Sequence, residues 1–394
     1  MTGPLAGFRI VDLSAVISGP MATQMLADQG AEVIKIEPVG LGDISRWLGP
    51  ARGGISAMFA TVNRNKQSVA LNLKNPKAKA LLLRLIATAD VFVENFRPGA
   101  VRRMGLDAGT LRALNPGLIH VSMSGFGETG PYAGRRVYDP VIQAISGFTA
   151  AQADATGTPE IIRTIVCDKV AALTAAQAIT AALVHKARTG EGQALTLNML
   201  DAAIAFLWPD AFWNHTFLGA GQPPSAPELA SFYQVMPTQD GAITIIALSD
   251  DEFADMARAL GRVEWTTDAR FRTLGDRLAN AAALRALVRE TVATVPTMEL
   301  SARLAAEDVP HAPVLAREDV LRDAQVVHNA IIAETVHPSA GPMRLPRGAA
   351  RFHTTSEAPP QPAPLLGEHT AAVLSGLGLT AEEIVALKAE GAAG

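Results

Sequence analysis

Residues 161–193 decide the fold, and they read IIRTIVCDKVAALTAAQAITAALVHKARTGEGQ. Behind Asp168, apolar residues recur at helical spacing in two rows. The first row holds Val170, Leu173, Thr174, Ala181 and Val184, and the second holds Ala172, Ala176, Ile179 and Leu183. Together the rows cover most of the circumference, so we expect a long and largely buried helix. Basic residues and then Gly190 mark its end.

Asp168 stands where this helix begins. A carboxylate at a helix N-terminus faces free backbone N–H groups and the positive end of the helix dipole, so we expect Asp168 to stay ionised. Two roles are open to it. Asp is a preferred N-cap residue, and an Asp carboxylate can also act as a nucleophile that forms a covalent intermediate. The helix alone favours the cap, so the rest of the chain must decide.

The composition excludes several classes of protein. The chain has 394 residues, of which 48% are hydrophobic and 18% charged, so it can bury a large core and has the length of about two domains. A net charge of −4 provides no basic surface for nucleic acid. The apolar runs are too short for a membrane span, and the first residues do not resemble a signal peptide. We therefore expect a soluble, cytoplasmic protein with no nucleic-acid or membrane partner.

The chain holds one cysteine, Cys167. A single cysteine excludes an intrachain disulfide and is typical of a reducing compartment. A buried and inert thiol is the expected role, and a catalytic thiol is the alternative. The eight histidines show no i, i+4 ligand spacing, so we expect no metal site.

Strands and helices alternate over the first half of the chain. The pattern predicts strands at 8–13, 32–37, 91–96 and 118–124, and helices at 21–29 and 75–89. This alternation is typical of an α/β domain with a doubly wound, mostly parallel, Rossmann-like sheet. Ligands of such a domain bind at the carboxyl ends of the strands, here residues 14–18, 95–99 and 124–130.

Two Gly-containing turns of this region could bind phosphate. Residues 125–130 fit the pattern GxGxxG, but Pro131 and Tyr132 follow where a helix should begin, so a Gly-rich turn is the better interpretation. The helix start at Gly19 and Pro20 could hold a phosphate or a carboxylate. Alternatively, Pro20 occupies the first helical position because it fits there.

The composition changes in the second half of the chain. Residues 219–227, GAGQPPSAP, indicate a linker or mobile loop. Beyond them, a strand at 242–248 and helices at 250–260, 278–293 and 297–306 indicate a smaller α+β region. The Pro- and Gly-rich stretch 337–364 is typical of an extended return path. The last residues predict two helices, and Thr380 with Glu383 forms a capping box for the second.

Eight stretches, in order along the chain, resemble the family III CoA-transferases, which include formyl-CoA transferase and, as relatives, the α-methylacyl-CoA racemases. They are LAGFRIVDLSAVISGP (5–20), GAEVIKIE (30–37), NRNKQSVALNLKNP (63–76), VENFRPGAVRRMG (93–105), RVYDPVIQA (136–144), Asp168 with its helix, TGEGQ (189–193) and PLLGEHTAAVL (364–374). The resemblance implies an interlocked homodimer of ring-like chains. It implies that 1–200 form the first part of a large α/β CoA-binding domain, 201–225 a linker, 226–320 a small α+β domain, and 321–394 a return segment that completes the large domain.

The resemblance also implies a reaction. In this family, the Asp that matches Asp168 attacks an acyl-CoA thioester to form a mixed anhydride, and CoA then forms an aspartyl thioester from which an incoming carboxylic acid takes it. Coenzyme A and acyl-CoA are therefore expected as substrates, a small carboxylic acid as the partner, and no tightly bound cofactor. A covalent intermediate splits one difficult transfer into easier steps.

Carried over residue by residue, the resemblance implies a CoA site made of Val16, Ile17, Leu71, Lys74, Asn95, Phe96, Arg97, Arg103, Met104, Arg136, Val137 and Tyr138. Lys and Arg side chains suit the 3′-phosphate and pyrophosphate, and apolar side chains suit the adenine. For each Lys or Arg alone, a solvated surface role is the alternative.

Departures from the relatives narrow the function. The racemases carry His in the slot of Tyr138, and because the Tyr pKa is about 10, Tyr138 is a poor base. Transferase chemistry is therefore favoured over the alternatives, an acyl-CoA racemase or a non-catalytic CoA-binding protein.

Formyl-CoA transferase has Gln in the slot of Ile17 and a run of glycines after residue 225, where this chain reads SAPELASFYQ. A formyl or oxalate substrate is therefore not expected, and Ile17 suggests a less polar acyl pocket.

Overall fold

The computed structural model describes residues 3–154, 156–226, 233–355 and 361–394. Its strands are β1 (Arg9–Asp12), β2 (Glu32–Glu37), β3 (Ala51–Arg52), β4 (Ile55–Ser56), β5 (Lys66–Ala70), β6 (Val91–Glu94), β7 (Ile119–Ser124), β8 (Ala194–Asn198), β9 (Met236–Pro237), β10 (Ala242–Ile245), β11 (His311–Pro313), β12 (Ile332–His337) and β13 (Gly341–Pro346).

The α-helices follow in chain order. They are α1 (Ser18–Asp28), α2 (Ala57–Asn63), α3 (Pro76–Ala87), α4 (Ala100–Arg103), α5 (Ala108–Leu114), α6 (Asp139–Ser146), α7 (Phe148–Ala151), α8 (Val166–Thr189), α9 (Met199–Ala211), α10 (Asp250–Ala259), α11 (Leu274–Ala279), α12 (Ala281–Val292), α13 (Thr297–Ala306), α14 (Arg317–Val320), α15 (Ala324–His328), α16 (Thr370–Gly376) and α17 (Ala381–Ala389).

A six-stranded parallel sheet organises the chain, in the order β5-β2-β1-β6-β7-β8. The chain winds outward in one direction through β1, β2 and β5, and in the other through β6, β7 and β8. The predicted α/β class with a large parallel sheet is confirmed. The strand order reverses between β1 and β6, and at such a switch point the loops that follow the two strands separate and leave a crevice for a ligand.

Strand β5 is absent from the sequence-based prediction because its inward side chains are polar. Lys66 and Ser68 are both buried. Lys66 Nζ lies 2.9 Å from Asp12 Oδ2, and the Ser68 hydroxyl donates to Glu37 Oε1 at 2.6 Å. Burial of polar groups is tolerated when each finds a partner, so this strand lacks the apolar alternation that identifies a strand in a sequence.

The long helix α8 is confirmed, but it is buried on one side only. Ala172, Ile179 and Leu183 are buried, whereas Leu173 is 55% and Val184 49% exposed. The helix packs against α1, α6, β7 and β8. The prediction of a largely buried helix is therefore wrong in the described chain. By length and composition α8 could also cross a membrane, but half of its apolar window is buried inside the protein, as in a core helix.

The first of two compact units comprises Met1–Pro209 and Asn329–Gly394. Helices α16 and α17 contribute Leu374, Ile384 and Leu387 to the same core as the residues of α3. The Gly394 N–H donates to the Ala70 carbonyl at 3.1 Å, next to the edge of the sheet. The first and last parts of the chain therefore share one core. Part of the predicted return path forms a hairpin, because β13 pairs antiparallel with β12.

The second unit comprises Asp210–His328 and holds a three-stranded antiparallel sheet, β11-β10-β9. Its core includes Phe253, Trp265 and Phe271. The helix predicted at 278–293 is α12, which begins at Ala281 because a separate helix, α11, ends just before it, where the Asn280 side chain donates to the Asp276 carbonyl at 3.0 Å. Helix α9 occupies the first part of the predicted linker 201–225 because Gly and Pro become frequent only from residue 219.

Candidate active site

The loop between β1 and α1 is held in place by side chains from neighbouring strand ends. The Asn95 amide, just after β6, accepts the Ala15 N–H at 2.8 Å and donates to the Ala15 carbonyl at 2.7 Å. Lys35 Nζ, on β2, donates to the Ser14 carbonyl at 2.9 Å. These contacts fix the loop at the switch point of the sheet.

Val16 has a φ of +71°, which is a sterically costly conformation for a β-branched residue. Its N–H donates to Asp43 Oδ1 at 3.1 Å. Asp43 is itself buried and lies 2.8 Å from Lys35 Nζ. Strained backbone persists only where its surroundings over-determine it. The contacts with Asp43 therefore hold the Val16 backbone in its strained conformation. Val16 is also one of the residues for which the resemblance predicts a CoA contact.

Two cavities bring together most of the predicted CoA residues. One, of about 800 Å³, is lined by residues that include Leu71, Lys74, Phe96 and Met104. The other, of about 200 Å³, is lined by Asn95, Phe96, Arg97, Arg136, Val137 and Tyr138 among others. Phe96 lines both. Nine of the twelve predicted CoA residues therefore line one or the other of these two cavities.

The four predicted phosphate ligands are solvent-accessible cations. Lys74, Arg97, Arg103 and Arg136 are exposed, and none of them forms an ion pair with another residue in the described ranges. Arg103 lies outside the two cavity linings, with its guanidinium beside Gly99. Exposed cations without acidic partners are available to an anionic ligand.

The Gly-rich segment 125–130 is a turn, as predicted, since no helix begins until Asp139. A Cβ on Gly125 would lie 2.2 Å from Val137 Cγ1. Glycine is therefore required because Val137, a predicted CoA contact, packs directly on the backbone of the turn.

Asp168 is the third residue of α8 and is half-buried. The predicted N-cap role is wrong, because the cap position is Ile165. Burial raises the pKa of Asp168 to about 6, a hydrogen bond from the Ser18 hydroxyl opposes the rise, and the nearby Asp139 carboxylate adds to it. The predicted stabilisation of its charge by the helix is thus outweighed, and at neutral pH the carboxylate is ionised but poorly solvated.

Ser18 is the first residue of α1, and its position corrects a second prediction. Pro20 is the third residue of that helix, not the first. The start of α1 nevertheless lies near a carboxylate, because the Ser18 hydroxyl is among the groups that lower the pKa of Asp168.

Asp139 and Gln143 position Asp168, and the sequence-based site prediction omits both. Asp139 Oδ2 accepts the Asp168 N–H at 3.0 Å, and Asp139 Oδ1 accepts the Gln143 amide at 2.6 Å. Gln143 also accepts the Ile162 N–H at 2.9 Å and donates to the Thr164 carbonyl at 3.1 Å. The i, i+4 spacing of the two polar residues at the start of α6 was the available signal.

Cys167 is fully buried beside Asp168. Burial, together with the Asp139 and Asp168 charges, raises the pKa of its thiol to about 12. The thiol is therefore protonated at neutral pH and is a poor nucleophile. The expected burial is confirmed, and the inert role stays a prediction.

Comparison with known proteins identifies the family. The profile of CoA-transferase family III matches residues 5–370. Succinyl-CoA:glutarate CoA-transferase of Mus musculus is 34% identical over 375 residues, which cover 94% of this chain and 86% of the relative. Formyl-CoA:oxalate CoA-transferase of Shigella sonnei is 32% identical, with 98% of this chain and 99% of the relative covered.

A solved structure agrees with these relatives. The crystal structure of a CAIB/BAIF family protein from Brucella suis superposes with a TM-score of 0.84 at 33% identity, covering 96% of this chain and all of that chain. The chain belongs to CoA-transferase family III. It is an enzyme that moves CoA between acyl-CoA thioesters and carboxylic acids.

The residue assignments of the site stay predictions. The structure places most of the expected CoA residues around two cavities that share Phe96 and gives Asp168 a half-buried position beside Asp139. The segment after residue 225, where formyl-CoA transferase has its glycines, lies in part outside the described residues, because 227–232 are not described.

Proposed function

We propose that this CoA-transferase works through covalent intermediates on Asp168. One observation carries the proposal: the Asp168 carboxylate is half-buried, and the group that accepts its backbone N–H at 3.0 Å is another carboxylate, Asp139, whose charge raises the Asp168 pKa further. A structural carboxylate at such a depth is normally paired with a cation. An ionised carboxylate that lacks one is poorly solvated, and it is therefore a better nucleophile towards a thioester than a solvated one.

Each step of the proposed transfer balances in atoms and electrons. An Asp168 oxygen attacks the thioester carbon of acyl-CoA, the C–S bond breaks, and CoA leaves as thiolate from a mixed anhydride. The thiolate attacks the Asp168 carbonyl carbon, and the donor acid leaves as a carboxylate that carries an oxygen from Asp168. An aspartyl-CoA thioester remains, which retains the thioester free energy.

The second half of the reaction repeats these bonds in reverse. The acceptor carboxylate attacks the aspartyl thioester and releases the thiolate. The thiolate then attacks the acceptor's carbonyl carbon, which forms the new acyl-CoA and restores the Asp168 carboxylate. No redox or metal chemistry enters the balance. Water must be kept from the anhydride, or hydrolysis consumes it.

The exposed apolar side chains of the first unit support a homodimer. Val141 and Ile145 on α6, Leu173 on α8 and Phe206 on α9 are all exposed large apolar residues. A wide exposed apolar surface marks an interaction site, and a second copy of the chain is the partner that the resemblance predicts. Light scattering in solution tests the proposal, because a monomeric mass at micromolar concentration would contradict it.

The experiment for the catalytic proposal compares Asp168→Asn with a matched control, Asp154→Asn, which changes an exposed carboxylate in a turn. Transfer of CoA from acetyl-CoA and succinyl-CoA to a panel of monocarboxylic and dicarboxylic acids is followed by mass. We expect Asp168→Asn to lose about 10⁶-fold in rate, as removal of a catalytic nucleophile does, and the control to match the native protein. Native-like transfer by Asp168→Asn would overturn the proposal, as would α-proton exchange of 2-methylacyl-CoA without transfer.

A further inference from the structure

A cavity of about 590 Å³ in the first unit is lined by one of the predicted CoA residues, Ile17, and by none of the other eleven. It lies between α1, α2, the start of α8 and residues 346–349. Ile17, Met21 and Met25 line it at i, i+4 spacing along α1, and Met58 lines it from α2. Its volume is in the range of small-molecule sites, and its walls are mainly flexible apolar side chains.

Two walls of this cavity adjoin Asp168. Ile17 precedes Ser18, whose hydroxyl is among the groups that lower the pKa of Asp168. Ile165 and Lys169, which also line the cavity, flank Asp168 on the first turn of α8, and the Lys169 N–H lies 3.3 Å from the Ile165 carbonyl. Ile165 and Lys169 of the cavity lining therefore lie within three positions of the proposed nucleophile in the chain.

The predicted CoA residues are connected to Asp168 through the start of α6. Tyr138 lines the cavity of about 200 Å³. The next residue, Asp139, accepts the Asp168 N–H at 3.0 Å. This arrangement leaves the Met-lined cavity free for the acyl chain of a thioester whose CoA part lies at Tyr138.

Three charged residues of the cavity lining, Asp28, Arg64 and Arg347, already have hydrogen-bond partners within the protein. Arg64 Nη2 lies 2.6 Å from Asp28 Oδ2, and Gln24 donates to the same Asp28 oxygen at 2.5 Å. Arg347 donates to the carbonyls of Ala330 and Asn329, each at 3.1 Å. Polar groups that are already paired with protein partners stabilise a second carboxylate at the end of an acyl chain only weakly. Lys169, which donates to Thr164 Oγ1 at 2.7 Å, is the remaining cation in the lining.

We propose that this cavity holds the acyl chain of the substrate, and that the enzyme prefers apolar, straight-chain aliphatic acids. The inference rests on the proposed function of Asp168. It names a substrate class unlike the short polar acids in the names of the relatives, glutarate and oxalate. Each methylene that enters the cavity is expected to raise kcat/KM about fourfold until the cavity is full.

The test is an exchange reaction that needs no knowledge of the natural acceptor. Each acyl-CoA is mixed with its own ¹³C-labelled acid, and label in the thioester is followed by mass for acetyl, butyryl, hexanoyl and octanoyl chains. Met25→Trp shortens the cavity two turns from Ile17, so the octanoyl-to-acetyl ratio of kcat/KM should fall more than tenfold. Val385→Trp places the same ring at an exposed position on α17 and should leave the ratio as in the native protein.

The outcomes separate the inference from the function on which it rests. Exchange that is flat with chain length, or fastest with acetyl-CoA, would overturn the inference and leave Asp168 chemistry standing. Faster exchange of glutarate than of pentanoate, abolished by Lys169→Met, would overturn it in favour of a dicarboxylate site. A change of oligomeric mass in Met25→Trp with an unchanged chain-length ratio would show an interface instead. If none of the acyl-CoA thioesters exchanged label with its acid, both proposals would be overturned.

Discussion

The first unit holds two clusters of buried acidic residues that differ in their partners. Beneath the loop after β1, Asp12 is paired with Lys66 and Asp43 with Lys35, at 2.9 and 2.8 Å. Burial alone would raise the pKa of Asp12, but attraction by Lys66 and Lys35 outweighs burial and lowers it. At the start of α8, Asp168 faces Asp139, and burial raises the pKa of Asp168 to about 6.

The difference separates a structural carboxylate from a reactive one. A buried carboxylate with a cation stays ionised and holds the chain in place, as Asp43 does for the strained Val16 backbone. When a buried carboxylate lies beside another carboxylate, its charge does not stabilise the fold, because no cation compensates for the loss of water. Perturbed carboxylates of the second kind cluster at functional sites. Removal of a charge should therefore lower stability in the cluster of Asp12 and Asp43, whereas at Asp168 and Asp139 it should change catalysis more than stability.

Asp12→Asn should have the largest effect on stability. It keeps the shape of Asp12 but leaves the buried Lys66 without a counter-charge, and breaking a buried pair costs about 3–5 kcal/mol. The control is Lys77→Met, which breaks an exposed pair with Glu390 and should cost less than about 1 kcal/mol. Urea unfolding measures both. Equal losses in the two variants would show that the buried pair has no special role.

Activity and stability should respond to different ranges of pH. The pKa of Asp168 is raised to about 6, so a rate that needs the ionised form should fall about tenfold between the plateau and pH 5. The pKa values of Asp12, Asp43 and Glu37 are lowered in the fold against burial, by Lys66, Lys35 and Arg46. Their stabilisation is present above the ordinary carboxyl pKa and is lost only below about pH 4.

Profiles of kcat/KM and of Tm across this range, recorded in the same buffers, test the separation. A rate that falls only where Tm falls would indicate that acid inactivates the enzyme by unfolding it, and that Asp168 does not titrate near pH 6.

Asp139→Asn should shift the pH profile with a smaller change in the plateau rate. Asn can still accept the Asp168 N–H, but the like charge is gone, so the apparent pKa should move below 6. Asp139→Ala removes the acceptor as well and should lower kcat about tenfold with KM little changed. Glu334→Gln, at an exposed pair on β12, is the control for loss of a carboxylate. An unshifted profile in Asp139→Asn would mean that Asp139 acts only in folding.

Cys167→Ala should have the smallest effect on activity. The thiol is buried and its pKa is raised to about 12, so it offers no nucleophile. Transfer should stay within about twofold of the native rate, and the free energy of unfolding should fall by about 1 kcal/mol from the lost packing. A loss of transfer comparable to that of Asp168→Asn, with folding intact, would move the chemistry to sulfur.

The sequence predicts the elements whose pattern is apolar and periodic. Strands β2 and β7, helices α3 and α13, and the Thr380–Glu383 capping box lie where the pattern places them. It misses β5, because Lys66 and Ser68 face partners that are distant in the chain. It also misjudges the outward row of α8, because an apolar residue at an interface and one in the core have the same spacing.

The site could be predicted only in part for a similar reason. The resemblance predicts Asn95 and Tyr138 as site residues. Asp139 and Gln143 lie in one of the same stretches, 136–144, but the stretch alone does not reveal their role, because it depends on where the 162–168 segment lies. The Met-lined cavity combines residues from α1, α2 and 346–349, and no spacing within one stretch reveals it.

The central claim is that Asp168 exchanges its oxygens with the acids that pass through it. The native enzyme is turned over repeatedly with an acceptor acid whose carboxyl carries ¹⁸O, and is then digested with trypsin in ordinary water. Cleavage after Arg163 and Lys169 releases the peptide TIVCDK, whose one acidic side chain is Asp168. We predict up to two heavy oxygens in that side chain. An unlabelled peptide from enzyme that has formed the new acyl-CoA would contradict the account.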